Sequence, residues 1–145
     1  MRVETLRSMT AVRLAKITLD ATLRTAASAL SHPRIGLLVV CGAENRAAGV
    51  VSKSDIVRHL TSAGITDAPI AALMSQGIVT CHPEDELYNT WQKMTARNLQ
   101  NMPVLDAGDK PIGVLDIRDA FKALFDQEEY QERILRDYVE GVGYQ

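Results

Sequence analysis

A hydroxyl and a carboxylate three residues apart, where a strand hands over to a helix, suit a phosphorylated sugar. Ser52 and Asp55 form such a pair in GVVSKSDI, residues 49–56. The predicted strand ends at Ser52, and Asp55 falls in the first turn of the helix that follows. Amides left unpaired at that junction, together with the positive end of the helix dipole, favour an anion, to which the Ser52 hydroxyl can donate. Asp55 can accept two hydroxyl hydrogens, as a vicinal diol presents them. The same residues also suit plain capping, with Ser52 as N-cap and Asp55 at the third helical position. One copy of the phrase does not choose between these readings.

The phrase occurs twice. GVLDIRDA, residues 113–120, repeats it at an offset of 64, with Gly113 matching Gly49, Asp119 matching Asp55, and Asp116 standing in place of Ser52. The same offset takes Val40 to Val104 and Leu23 to Leu87 without a gap. Internal repeats of this length reveal architecture. TLRTAASALS (22–31) and DELYNTWQKMTAR (85–97) carry apolar residues at helical spacing, with Asp20 and Asp85 placed to cap or favour the helix starts. GLLVVC (36–41) and MPVLD (102–106) read as buried strands, followed by Gly/Asn/Asp turn chemistry and the strands AGVVS and IGVLD. SDIVRHL and RDAFKAL close the halves as helices.

Each half therefore reads strand–helix–strand–strand–helix. About fifty residues are too few to bury a core alone, so the expected α+β fold packs two pseudo-symmetric repeats sheet to sheet. The expected boundaries are 9–65 and 66–125, with a helical extension over 126–145. Along the helix that runs from the second repeat into the extension, Phe121, Leu124, Phe125, Tyr130, Ile134, Leu135 and Tyr138 form an apolar stripe that Gly141 should stop. That helix exceeds what one small domain needs, which makes it a candidate for dimer contacts.

With 145 residues, 46% of them hydrophobic, the chain has the material for one packed domain. No run approaches the roughly 18 apolar residues that cross a bilayer, and MRVETLRSM lacks the apolar stretch of a secretory signal. Cys41 and Cys81 read as buried free thiols in a reducing compartment. The expectation is a soluble cytoplasmic protein without membrane partners. A net charge of −2 offers no bulk attraction to nucleic acid. The charge is uneven: residues 1–16 carry a net +3 and residues 126–140 a net −4. These are either two solvated helix faces or ends that meet, within one chain or across a dimer.

A catalytic arrangement is not expected. Ser52, Asp55 and His59 share a helical face, but a hydrolytic triad needs the histidine on the serine with the acid behind it, and here the acid lies between them. His32, His59 and His82 have no metal-ligand spacing with the cysteines. The glycine-rich phosphate loops G-x-G-x-x-G and G-x-x-x-x-G-K-[ST] do not occur. Trp91 and Met94 fit core packing. Arg97 fits a solvated charge or a partner of the helix C-terminus, or alternatively a phosphate ligand.

The two phrases, the order of elements, NMPVLD (101–106) and MSQGIVTCHPEDEL (74–87) together resemble a tandem pair of cystathionine-β-synthase (CBS) domains, also called a Bateman module. The resemblance covers roughly residues 9–125. It implies a disc with two clefts between the repeats that hold adenosine-containing ligands: AMP, ADP, ATP, NAD(H) or S-adenosylmethionine. It further implies that the aspartate of the phrase binds ribose, that the Ser/Thr binds phosphate, and that the other repeat holds the adenine. Carried onto this sequence, cleft one combines Ser52, Lys53 and Asp55 with Met74, Ser75, Ile78, Leu99, Gln100 and Asn101. Cleft two combines Asp116, Arg118 and Asp119 with Thr10, Ala11, Ile35, Gly36 and Leu37.

Asp116 stands where a phosphate-facing hydroxyl is expected. Two like charges about 4 Å apart repel by roughly 1 kcal/mol in water and about 4 kcal/mol at an effective dielectric of 20. A phosphate there needs a compensating cation, such as Arg118 or a metal. Val39 also replaces the proline found at Pro103, and SHPRIG is irregular. Cleft one is therefore expected to be the primary site, with cleft two empty, weaker, or filled by a ligand without a phosphate at that spot. The implied function is a non-enzymatic sensor with no required cofactor and an adenine nucleotide as effector. It would be homodimeric and act on an unidentified protein partner in trans. The alternative is a structural or dimerisation module with vestigial clefts.

Overall fold

The computed structural model describes residues 1–65 and 67–143. The first repeat runs β1 (Lys16–Thr18), α2 (Leu23–Leu30), β2 (Leu37–Cys41), β3 (Ala47–Ser52) and α3 (Lys53–Ala63), preceded by the short α1 (Arg7–Val12). The second runs α4 (Leu87–Ala96), β4 (Asn101–Leu105), β5 (Pro111–Asp116) and α5 (Ile117–Gly143). In the first sheet β1 is parallel to β2 and β2 antiparallel to β3; in the second β4 pairs antiparallel with β5. The repeat extends to register: Val40 faces Gly49 and Val104 faces Gly113, and each ladder shifts at the next residue, Cys41 or Leu105. The architecture is thus the α+β repeat pair that the sequence implies.

The second repeat shortens its opening strand to a single parallel bridge between Cys81 and Val104, the counterpart of Ile17 on Val40. Pro83 follows two residues later and has no N–H to continue the pairing. The helix caps also differ from expectation. Thr22 caps α2 by accepting from Thr25 N, and Glu86 caps α4 by accepting from Asn89 N. Asp20 instead accepts from the Thr18 hydroxyl at 2.6 Å, and Asp85 accepts from His82 N at 2.8 Å. Both acids brace the turn before the helix, while the cap falls one or two residues further on, to Glu86 or Thr22.

β2 is buried on both faces, and alternate residues serve different cores. Leu38 and Val40 join Ile17, Leu30, Val51 and Ile56 beneath the first sheet. Val39 and Cys41 face the opposite way and meet Val114 of β5, with Leu14 and Ala47 packed alongside. This seam joins the repeats sheet to sheet, and Ala47 N donates across it to Asp109 O at 3.0 Å. Leu87, Met94, Met102 and Leu115 form the second core, with Trp91 partly buried against it.

The repeats also exchange their leading segments. α1 packs on β5 of the second repeat. The stretch around Met74 and Ser75 lies on β3 of the first, where Val50 and Ser75 exchange hydrogen bonds of 3.0 and 2.9 Å. Both contacts pass over the glycine of the repeated phrase. A Cβ on Gly49 would lie 2.6 Å from Met74 Sδ, and one on Gly113 would lie 2.7 Å from Thr10 Oγ1. Only a residue without a side chain admits such an approach.

α5 does not stop at Gly141 but continues to Gly143. Glycine supplies the freedom to leave a helix without obliging the chain to do so. Phe121, Phe125, Ile134, Leu135 and Tyr138 of the stripe are exposed. The side chain of Tyr130 lies outside the described residues. Among the described ion pairs of the basic N-terminal segment, Arg2 meets Glu4 and Arg13 meets Asp116 and Asp119, so those arginines are matched without the acids of 126–140. Both cysteines are free and buried. Among the described residues, no helix is long and apolar enough to cross a membrane, and no His/Cys/Asp/Glu group is placed to hold a metal ion.

Candidate ligand cleft

β3 delivers Ser52 to the start of α3, where a reciprocal capping box forms. Ser52 Oγ accepts from Asp55 N at 3.3 Å, and Asp55 Oδ2 accepts from Ser52 N at 2.9 Å. The capping reading of the pair is therefore realised. It leaves further capacity on both side chains, because Ser52 Oγ shares a 2.9 Å hydrogen bond with Ser54 Oγ and, among the described residues, Asp55 Oδ1 is met only by an exposed Arg58, at 3.3 Å.

At the equivalent junction of the second repeat the chemistry is ionic. Asp116, 3% exposed, accepts at Oδ1 from Arg118 N (2.8 Å) and Nε (3.1 Å), and at Oδ2 from Arg118 Nη2 (2.8 Å). Arg13 Nη1 adds a second cation 3.6 Å from Oδ2. Arg13 also grips Asp119, donating from Nε at 2.6 Å and from Nη2 at 3.4 Å, and it donates to Arg34 O at 3.2 Å. Burial pushes the Asp116 carboxyl up, but the Arg118 hydrogen bonds with the Arg118 and Arg13 charges outweigh it and hold the carboxyl below its ordinary range.

The two junctions open into one cavity of about 790 Å³ along the seam. The expected two clefts are thus a single space, with the Ser52 and Ser54 hydroxyls at one end and a closed ionic cluster at the other. At the first end it brings together Ser52, Lys53 and Asp55 with Ser75, Ile78, Leu99, Gln100 and Asn101 of the other repeat. At the second end it is lined by Ile35, Gly36, Leu37, Asp116 and Arg118. Gly36 marks the closest approach of the walls, since a Cβ there would lie 2.8 Å from Asn101 Nδ2.

Four expected residues lie elsewhere. Met74 is taken up in covering Gly49 and packs against the first core. Thr10 is buried under Gly113, and with Ala11 it lines a separate pocket of about 300 Å³ beside Val3 and Pro83. Asp119 is held by Arg13. The lining also contains residues that the sequence reading missed, notably Arg13, Arg34, Ser54, Gly77 and Pro103. The repeat offset was the one available signal for Arg13, which it pairs with Gly77. Arg97 ends α4 as an exposed C-cap residue, outside this lining.

The CBS-domain family profile matches residues 5–62 and 70–126, so the chain belongs to the CBS-domain family. A 17.7 kDa protein of Acidianus ambivalens is 26% identical over 124 residues, covering 86% of this chain and 75% of that protein. The arabinose 5-phosphate isomerase GutQ of Escherichia coli is 26% identical over 108 residues, covering 74% of this chain and 34% of the isomerase. The chain thus spans about a third of that enzyme's length. Among solved structures, a CBS domain protein of Pyrobaculum aerophilum, determined in complex with AMP, superimposes with a TM-score of 0.72 at 26% identity, covering 82% of this chain and 89% of the other.

Proposed function

We propose that this chain is a non-enzymatic regulatory module that binds an adenosine-containing ligand between its repeats and signals to a protein partner in trans. The carrying observation is the seam cavity of about 790 Å³, in which Ser52 and Asp55 of one repeat face Ser75, Ile78, Leu99, Gln100 and Asn101 of the other. Its volume lies within the roughly 300–1,000 Å³ range of small-molecule sites. In this reading Asp55 accepts the ribose hydroxyls, while Ser52, Lys53 and the first amides of α3 take the phosphate. Leu99, Ile78 and Gln100 hold the base. The AMP complex of the Pyrobaculum aerophilum relative supports this ligand class. A ligand that touches both repeats has different affinities for different arrangements of them, and this difference is what a regulatory output requires.

Residues 9–65 and 66–125 are the binding unit in this proposal, and 126–145 an assembly extension. The protein acts in the cytoplasm as a homodimer. An assembly-only reading is favoured by one specific observation, an aromatic ladder across α4 and α5 in which exposed Tyr88, Phe121 and Phe125 and half-buried Trp91 sit ring to ring at 6.0, 6.1 and 6.2 Å. Isothermal titration of ligand-free protein with AMP, ATP, NADH and S-adenosylmethionine separates the readings. Saturable binding of one of them, weakened roughly tenfold or more by Asp55→Ala, supports the sensor. Silence from all four leaves the assembly role.

A further inference from the structure

The 64-residue offset pairs several positions at one end of the cavity with positions at the other. Three of these pairs put a charged side chain of the ionic cluster where the first end has a neutral residue. Ser52 becomes Asp116, Ser54 becomes Arg118, and Gly77 becomes Arg13. All six residues line the same cavity. At the first end the two serine hydroxyls share one 2.9 Å hydrogen bond, and a glycine leaves the opposite wall bare. At the second end the same places hold a closed ionic cluster.

We propose that Arg13 and Asp116 are a built-in plug that shuts the second end of the cavity to phosphate-bearing ligands, so that the chain takes one nucleotide where its repeat symmetry provides for two. The proposal rests on the nucleotide-binding reading above and assigns its stoichiometry. Asp116 occupies, as a tethered anion, the place at which a phosphate is held at the first end. Three donor atoms of Arg118 lie 2.8 to 3.1 Å from its oxygens. An incoming phosphate must compete for Arg118 with a carboxylate two residues away, whose effective concentration no free ligand reaches. A phosphate that carries about −1.5 to −2 charges also meets that carboxylate directly.

The ribose position is closed as well. Asp119, the counterpart of Asp55, has both carboxylate oxygens engaged by Arg13, at 2.6 and 3.4 Å. Asp55 instead accepts from Ser52 N at 2.9 Å and from the exposed Arg58 at 3.3 Å, with no buried arginine across it among the described residues. Arg13 is itself fixed by Arg34 O at 3.2 Å and by Asp116 at 3.6 Å, so a diol must displace a guanidinium held at three points.

The test counts bound AMP per full-length chain by equilibrium dialysis and native mass spectrometry up to millimolar nucleotide. Wild type should take one AMP. R13G/D116S, which rebuilds the first end's Gly77 and Ser52 at the second, should take two. In the Asp55→Ala background, which weakens the first end, R13G/D116S should restore one AMP per chain. If thermal melting shows that R13G/D116S is unfolded, R13Q/D116N removes the same charges at nearly constant volume and should show the same gain. Two AMP on wild type overturns the plug. One AMP on both wild type and the folded double variant removes the plug and leaves the nucleotide reading standing. No AMP on either removes the plug, and the nucleotide reading then falls only if ATP, NADH and S-adenosylmethionine are silent as well.

Discussion

Replacing Gly49 with alanine tests whether the repeated phrase exists to let one repeat's leading segment lie on the other repeat's sheet. The added Cβ would stand 2.6 Å from Met74 Sδ, 2.9 Å from Met74 Cγ and 2.8 Å from Ser75 O. The methionine can swing aside, but Ser75 is tied to Val50 by two backbone hydrogen bonds of 3.0 and 2.9 Å and cannot retreat without loosening them. Overpacking of this kind costs roughly 1–3 kcal/mol. The reduced freedom of the unfolded chain returns about 0.4–1 kcal/mol. Mid-range values leave a net loss of about 1.3 kcal/mol, and at roughly 2–4 °C per kcal/mol for a chain of this size, Tm should fall by about 3–5 °C in differential scanning calorimetry. Gly108→Ala is the control, because its Cβ would meet nothing nearer than Asp106 Oδ1 at 3.5 Å. It should melt at or up to about 4 °C above wild type. If Gly49→Ala also stays there, the close-approach argument for both copies of the phrase is wrong.

Three further outcomes follow from the same contacts. Because Asp116 titrates below its ordinary range in the fold, its carboxylate contributes stability above the unfolded value of about 3.9 and loses it as pH falls below that value. Urea midpoints of wild type should therefore drop more steeply than those of Asp116→Asn between about pH 5 and pH 3, and equal slopes would refute the ion-pair account. Burial first, then the nearby Asp85 charge, pushes the Cys81 thiol up to about 12 against an opposing Lys93, so at pH 8 roughly one thiol in ten thousand is thiolate. Native protein should leave Cys81 unlabelled by iodoacetamide until urea is added, as read by mass spectrometry. A truncation after Phe125 should convert a dimer to a monomer by light scattering while nucleotide titration is unchanged, and an unaltered mass would remove α5 from assembly.

Much of the fold was legible because it is written twice. The offset from Gly49 to Gly113 carries strand register, the bulge after Val40 or Val104, and the close approach at each glycine. Capping was less legible, because Thr22 and Asp20, or Glu86 and Asp85, offer the same short polar acceptors. The turn geometry that chooses between them is not a local property of either residue. The end of α5 was misjudged at Gly141 because glycine permits a helix to stop without compelling it.

By itself the sequence determined what depends on residue type and spacing: two half-sized units that must share a core, and a hydroxyl–carboxylate pair at a helix start that is matched in the second unit by two carboxylates. Tertiary structure alone decided how those junctions are used. Ser52 and Asp55 keep free capacity facing a shared cavity. Asp116 and Asp119 are drawn into an ionic cluster by Arg13, a residue about a hundred positions away in sequence and less than 4 Å away in space. Charge pairing is set by distance through folded space, and no reading of neighbours along the chain contains that distance.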